Sequence, residues 1–179
     1  MKKIQMGVMG SAQDLNYSEE ALQFAKKLGK LIAESENILV YGAEKEYSSL
    51  STNAAIEASK AGGITVGVCG GKSKEIYGDF RPTVLMPCGL EIGGGREFSL
   101  VLSCDVIIAI SGGSGTLTEM AIAYQANIPI VTVDLFGGWA SELAGRFIDD
   151  RKRLKCERVQ TPEEALEKAL ELVKRKEEK

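Results

Sequence analysis

Apolar residues recur along the chain with two alternating periods. Ile4 to Met9 fits a strand, closed by Gly10-Ser11. Ala21, Phe24, Ala25, Leu28, Leu31 and Ile32 then repeat at helical spacing, which predicts a helix capped by Ser18 and running to about Glu34. Ile38 to Tyr41 reads as a strand ending at Gly42, and Ser48 to Ala61 as a helix stopped by Gly62-Gly63. The alternation continues with strands at Ile64 to Cys69, Thr83 to Met86, Asp105 to Ile110, Pro129 to Val133 and Cys156 to Val159. Helices are predicted at Arg96 to Ser103, Thr116 to Ala126 and Phe136 to Phe147. A last helix starts sharply at Thr161-Pro162-Glu163-Glu164, which combines a Thr cap, a first-turn Pro and a Glu three residues after the cap.

Strands alternating with helices at this spacing predict one domain over residues 1–179. Its fold class is α/β: a three-layer, Rossmann-like arrangement with a mostly parallel sheet and helices on both faces. The nearly continuous apolar run Asp105 to Ile110 suits a central strand covered on both sides. Right-handed crossovers bring the carboxyl end of each strand to the start of the next helix. The glycine clusters fall at those junctions, along the edge where open α/β sheets bind ligands.

Composition narrows the function. With 44% hydrophobic and 26% charged residues among 179, the chain is an ordinary globular one. No apolar run approaches the ~18 residues of a membrane span. The N-terminus enters a strand pattern directly, without a signal peptide, so the expected location is the cytoplasm. There is no histidine, which excludes Ser-His and Cys-His nucleophile pairs and removes the commonest zinc ligand. Cys69, Cys88, Cys104 and Cys156 lie 19, 16 and 52 residues apart, without Cys-x-x-Cys; they are expected to be reduced packing residues, and no metal site is expected. A net charge of −3 and a pI near 5.2 disfavour nucleic acid as a partner.

The richest chemistry lies in Ser111-Gly112-Gly113-Ser114-Gly115-Thr116-Leu117-Thr118-Glu119, which follows the most apolar strand and opens a helix. Glycines let backbone approach a ligand closely, and amides at a helix start favour an anion such as phosphate. Ser114 and Thr116 add hydroxyls. Glu119 is four residues past Gly115, on the same helix face one turn deeper. Arg96 follows Gly93-Gly94-Gly95, and its planar fork suits a phosphate or carboxylate. Its alternative role is a surface pair with Glu97 or Asp105. Gly112, Gly113, Ser114, Gly115 and Thr116, with Gly10, Ser11, Gly42, Gly94 and Gly95 at neighbouring junctions, form the expected phosphate- and nucleotide-binding set.

An arginine, an apolar strand after Asp, then Gly-Gly-x-Gly-Thr-x-x-Glu resembles the LOG (LONELY GUY) family, long labelled "possible lysine decarboxylase". That family's signature is Pro-Gly-Gly-x-Gly-Thr-x-x-Glu preceded by an Arg-Lys pair. Gly112, Gly113, Gly115, Thr116 and Glu119 match it, Arg96 stands at the arginine, and Gly10-Ser11 is similar to the family's N-terminal Gly-Ser. The likeness covers about residues 1–135. It implies a homodimer or higher homo-oligomer that hydrolyses the N-glycosidic bond of AMP-like nucleoside 5′-monophosphates. Arg96 and Glu119 would then serve catalysis, with Gly112 to Thr116 on the phosphate. A carboxylate is suited to stabilising the cationic sugar and orienting water. Lysine decarboxylation finds little physical support, because no lysine lies in an apolar strand-end setting for a Schiff base, although Lys72 and Lys74 lie on a loop at the ligand edge.

Three positions depart from that pattern. Ser111 replaces the proline, Glu97 replaces the lysine, and Tyr41-Gly42-Ala43-Glu44-Lys45-Glu46-Tyr47 replaces a glycine-rich turn. These suit a divergent branch of the superfamily, similar to molybdenum-cofactor carriers and to the Rossmann domain of DNA-processing protein A. The alternative function is therefore a non-catalytic nucleotide or cofactor carrier. Neither reading requires a resident cofactor; the guest is a nucleotide or phosphate. Among smaller signals, Asp134 sits where it would contact a ribose or end a solvated turn, and Trp139 where it would stack on a base or fill a core or interface. Asp105 reads as structural, and Lys72 to Arg81 as a lid or an ordinary exposed loop.

Overall fold

The computed structural model describes residues 2–91 and 95–178. Seven strands form one sheet: β1 (Gln5–Gly10), β2 (Ile38–Gly42), β3 (Ile64–Cys69), β4 (Val84–Pro87), β5 (Val106–Ile110), β6 (Ile130–Val133) and β7 (Cys156–Val159). They lie in the order β4-β3-β2-β1-β5-β6-β7, and every neighbouring pair is parallel. The helices are α1 (Glu19–Glu34), α2 (Leu50–Lys60), α3 (Arg96–Leu102), α4 (Ser114–Gln125), α5 (Gly138–Leu143) and α6 (Pro162–Glu177). This is the α/β, Rossmann-like architecture that the alternating periods predict.

Side-chain alternation along the strands divides the core into two layers. Val8, Leu39, Tyr41, Ile108, Ile110 and Val131 pack beneath α1, α2 and α6. Met9, Val40, Ile107, Ala109 and Ile130 pack on the other side, with Leu100 of α3, Met120 of α4 and Ala140 of α5. All five residues of β5 are buried, as a strand covered on both faces requires. Cys69, Cys104 and Cys156 are buried, Cys88 is half-buried, and all four are free thiols. Asp105 is structural: its Oδ2 accepts the Gln5 amide at 2.9 Å and anchors the start of β1.

Local chemistry explains the helix starts. Ser18 accepts the Ala21 amide and Ser49 the Thr52 amide at 3.0 Å. Thr161 and Glu164 form a reciprocal capping box. Several boundaries differ from the sequence expectation, two of them here. α5 covers only Gly138–Leu143: Gly137, with φ 68°, precedes it, and the non-helical Ala144 followed by Gly145 at φ 72° ends it. A short 3-10 turn at Gln13–Leu15, too brief to carry a period, follows β1.

The sheet order has one functional consequence. From β1 the chain winds outward to β2, β3 and β4, then returns to place β5 on the other flank of β1. Its topological switch point therefore lies between the carboxyl ends of β1 and β5, where Gly10 pairs with Ile110. Among the described residues, no helix is long and apolar enough to cross a membrane.

Candidate functional site

A cleft of about 250 Å3 opens at this switch point. Its walls include Gly10 and Ser11 after β1, Gly113 to Thr116 at the start of α4, Arg96 and Glu97 at the start of α3, and Glu119 one turn into α4. Ala12, Asp14, Leu15, Glu44 and Tyr47 also line it. Sequence reasoning missed Asp14 and Leu15. Glu44 and Tyr47 it registered only as departures from a small-residue turn.

The floor is held by hydrogen bonds between the two strand ends. Ser11 Oγ donates to Ser111 Oγ at 3.1 Å and accepts the Gly112 amide at 2.9 Å. Gly112 has φ 99°, and a Cβ there would lie 2.4 Å from the Thr116 side chain, so only glycine closes this turn. Gly112 thus shapes the loop from behind the cleft, while Gly113, Ser114, Gly115 and Thr116 face it. α4 begins at Ser114, two residues earlier than its period suggests, and no side chain caps it. An uncapped first turn lining a cleft offers its amides and positive dipole end to an anion.

Arg96 is 4% exposed. Its Nη2 donates to Glu44 Oε1 at 2.8 Å and lies 3.4 Å from Glu97 Oε1. The partner expected at Asp105 is not used. Gly42 lies beneath the guanidinium rather than in the cleft: a Cβ there would come within 2.1 Å of Nη1. Gly95 directly precedes α3, where a Cβ would press to 2.5 Å from Leu90. Gly94 lies outside the described residues.

Three carboxylates, those of Glu44, Glu97 and Glu119, therefore surround one arginine. Burial would favour a neutral Arg96, but Glu44, Glu119 and Glu97 raise its pKa above the usual value. Glu119 is 7% exposed. Burial pushes its pKa up to about 8, with Glu97 and Glu44 adding to the rise and Arg96 opposing it. The Arg96 charge thus offsets only part of the effect of burial on Glu119. Among the described residues, no group of three or more Cys, Asp or Glu side chains is disposed to hold a metal ion.

Other sequence signals resolve individually. Asp134 pairs with Arg158 Nε at 2.7 Å. Trp139 is 40% exposed, not a core residue, and its amide donates to Gly112 O at 3.0 Å. The loop at 72–82 is tied to the turn after β2 by the Lys45–Glu75 ion pair and by the Tyr77 amide, which donates to Glu44 O at 2.8 Å.

A family model described as the SLOG cluster4 family matches residues 3–166. The solved molybdenum cofactor binding protein of Rippkaea orientalis is 27% identical, with a TM-score of 0.80 over 97% of this chain and 99% of that one. The molybdenum cofactor carrier protein of Chlamydomonas reinhardtii is 26% identical, with a TM-score of 0.76 over the same shares. DNA processing protein A from Helicobacter pylori, solved for its single-stranded DNA binding mode, shares the fold at 12% identity and TM-score 0.64, over 94% of this chain and 80% of that one.

Proposed function

The chain belongs to the SLOG cluster4 family, and from that membership we propose that its cleft holds a small phosphorylated, nucleotide-like cargo, with the protein acting as a non-catalytic carrier of a cofactor of the molybdenum-cofactor type. The phosphate of such a cargo would take the uncapped first turn of α4, with the Ser114 and Thr116 hydroxyls beside it. The rest of the cargo would face the acidic side of the site, where Asp14 and Glu44 line the cleft. Likeness in sequence and fold to two proteins described as binding or carrying that cofactor supports the reading.

One observation carries the choice of carrier over hydrolase: the likeness over nearly the whole chain to two proteins described as binding or carrying the molybdenum cofactor. Burial of Glu119 agrees with this choice in one respect: a carboxyl pushed toward its protonated form is a poorer base toward water and a poorer partner for a cationic sugar.

The test is incubation with AMP, followed by chromatography for free adenine and calorimetry for binding. Saturable binding without adenine release is expected. Adenine release that disappears in Glu119→Ala would overturn the carrier reading and establish the LOG-like hydrolase.

A further inference from the structure

Two cavities meet at Glu44. Beyond the cleft lies a chamber of about 430 Å3 whose lining includes Ala43 to Tyr47, Cys69, Gly71 and Glu91. Glu44 and Tyr47 belong to both linings, whereas Arg96 belongs to the cleft alone. The Glu44–Arg96 ion pair thus stands at the boundary between the two spaces.

Arg96 has more capacity than this pair uses. Its Nε and Nη1 are buried and have no acceptor among the described residues. Unmet buried donors of a charged group are costly, and the Nη2 group that faces Glu44 is the one an incoming oxyanion would take. Glu44 reaches it with one oxygen, from a side chain that is 18% exposed. The backbone of the turn is secured separately: the Ala43 amide donates to Val68 O at 2.9 Å, and Glu44 O accepts from Tyr77. The Glu44 carboxylate can therefore rotate away without breaking a backbone hydrogen bond.

The chamber's charged lining is Glu44, Glu46, Glu75 and Glu91 against Lys45, which is already paired with Glu75. Ionised carboxylates only accept hydrogen bonds. Such a wall repels a second phosphate and is matched by a ring edge with adjacent N–H donors, as in the 2-amino-4-oxo rings of guanine and pterins.

We propose that Glu44 is a displaceable internal anion and a specificity-determining residue. The ligand's phosphate takes Arg96 together with the first turn of α4, and the released Glu44 carboxylate turns to the chamber and accepts the donor edge of a 2-amino-4-oxo ring. Cleft and chamber are then two halves of one site. This rests on the carrier reading's phosphate cleft and adds to it the class of ring and the residue that reads it.

The experiment is calorimetric titration of the full chain and of Glu44→Gln with inorganic phosphate, AMP and GMP, with thermal melting of both proteins as the folding control. AMP and GMP share the ribose phosphate, but only GMP carries the ring N–H beside a 2-amino group. The wild type is expected to prefer GMP by roughly tenfold, the worth of a hydrogen bond to a charged group. Glu44→Gln should bind inorganic phosphate and AMP more tightly, because the competing anion is gone, and should lose the preference for GMP. A merely structural role would weaken all three ligands together, which overturns the proposal. Phosphate and AMP binding with no GMP preference overturns it as well, while leaving the phosphate cleft intact. Failure of every ligand to bind overturns the cleft reading and this inference with it.

Discussion

Glu119 keeps a proton that an exposed glutamate would lose near pH 4.5, since its pKa in the folded chain is about 8. Between those values the folded chain holds one more proton than the unfolded chain at this position. Stability therefore falls as pH rises from about 4.5 to about 8, and the full penalty is present above that range. Glu119→Gln removes the titration while keeping the shape. Its melting temperature is expected to exceed that of the wild type, with a gap that widens from pH 6 to pH 8.5; thermal denaturation at several pH values measures it. A gap independent of pH would remove Glu119 as the source. Of this cluster, the sequence revealed the residues but not the pairing. Arg96 and Glu119 stand out beside their glycines, and Glu44 as an acid where the resembled family has a glycine-rich turn. The Glu44–Arg96 contact spans 52 positions, and no local period encodes so long a reach.

At the level of elements, legibility followed the strength of local rules. β3 and β7 lie where their apolar runs end, and α6 starts at its capping box, because a cap and a hydrophobic period specify the same boundary. The 3-10 turn that brings Leu15 to the cleft rim has only three residues and no such signal. The start of α4 was misplaced because glycine ordinarily weakens a helix, yet Gly115 sits in its first turn, where the helix amides face the cleft. A Cβ at Gly115 would meet nothing within 4 Å, so this position can be changed without a clash. Gly115→Asp places a negative charge among those amides while suiting the helix dipole. The variant is expected to melt no lower than wild type and to bind inorganic phosphate at least about tenfold more weakly, through like-charge repulsion. Calorimetry checks both the affinity and the fold. Unchanged phosphate affinity would move the anion site away from α4.

Over the whole molecule, a single reversal of strand winding creates the switch point and so decides where the cleft lies. The chain shares this fold with a protein solved for its binding to single-stranded DNA, but its own charge is −3. Without a net basic field to displace phosphate counterions, it is expected to retain no single-stranded DNA on a filter, even at low salt. Retention that weakens with added salt would contradict this. The sheet's two borders have a consequence of their own. β4 and β7 are four residues each; β4 ends in Pro87, which has no amide hydrogen to give, and β7 carries the charged pair Glu157-Arg158. A foreign strand meeting either border finds too short and too interrupted a ladder to extend. The molecule can thus keep an all-parallel, strongly apolar sheet without serving as a template for fibrous growth.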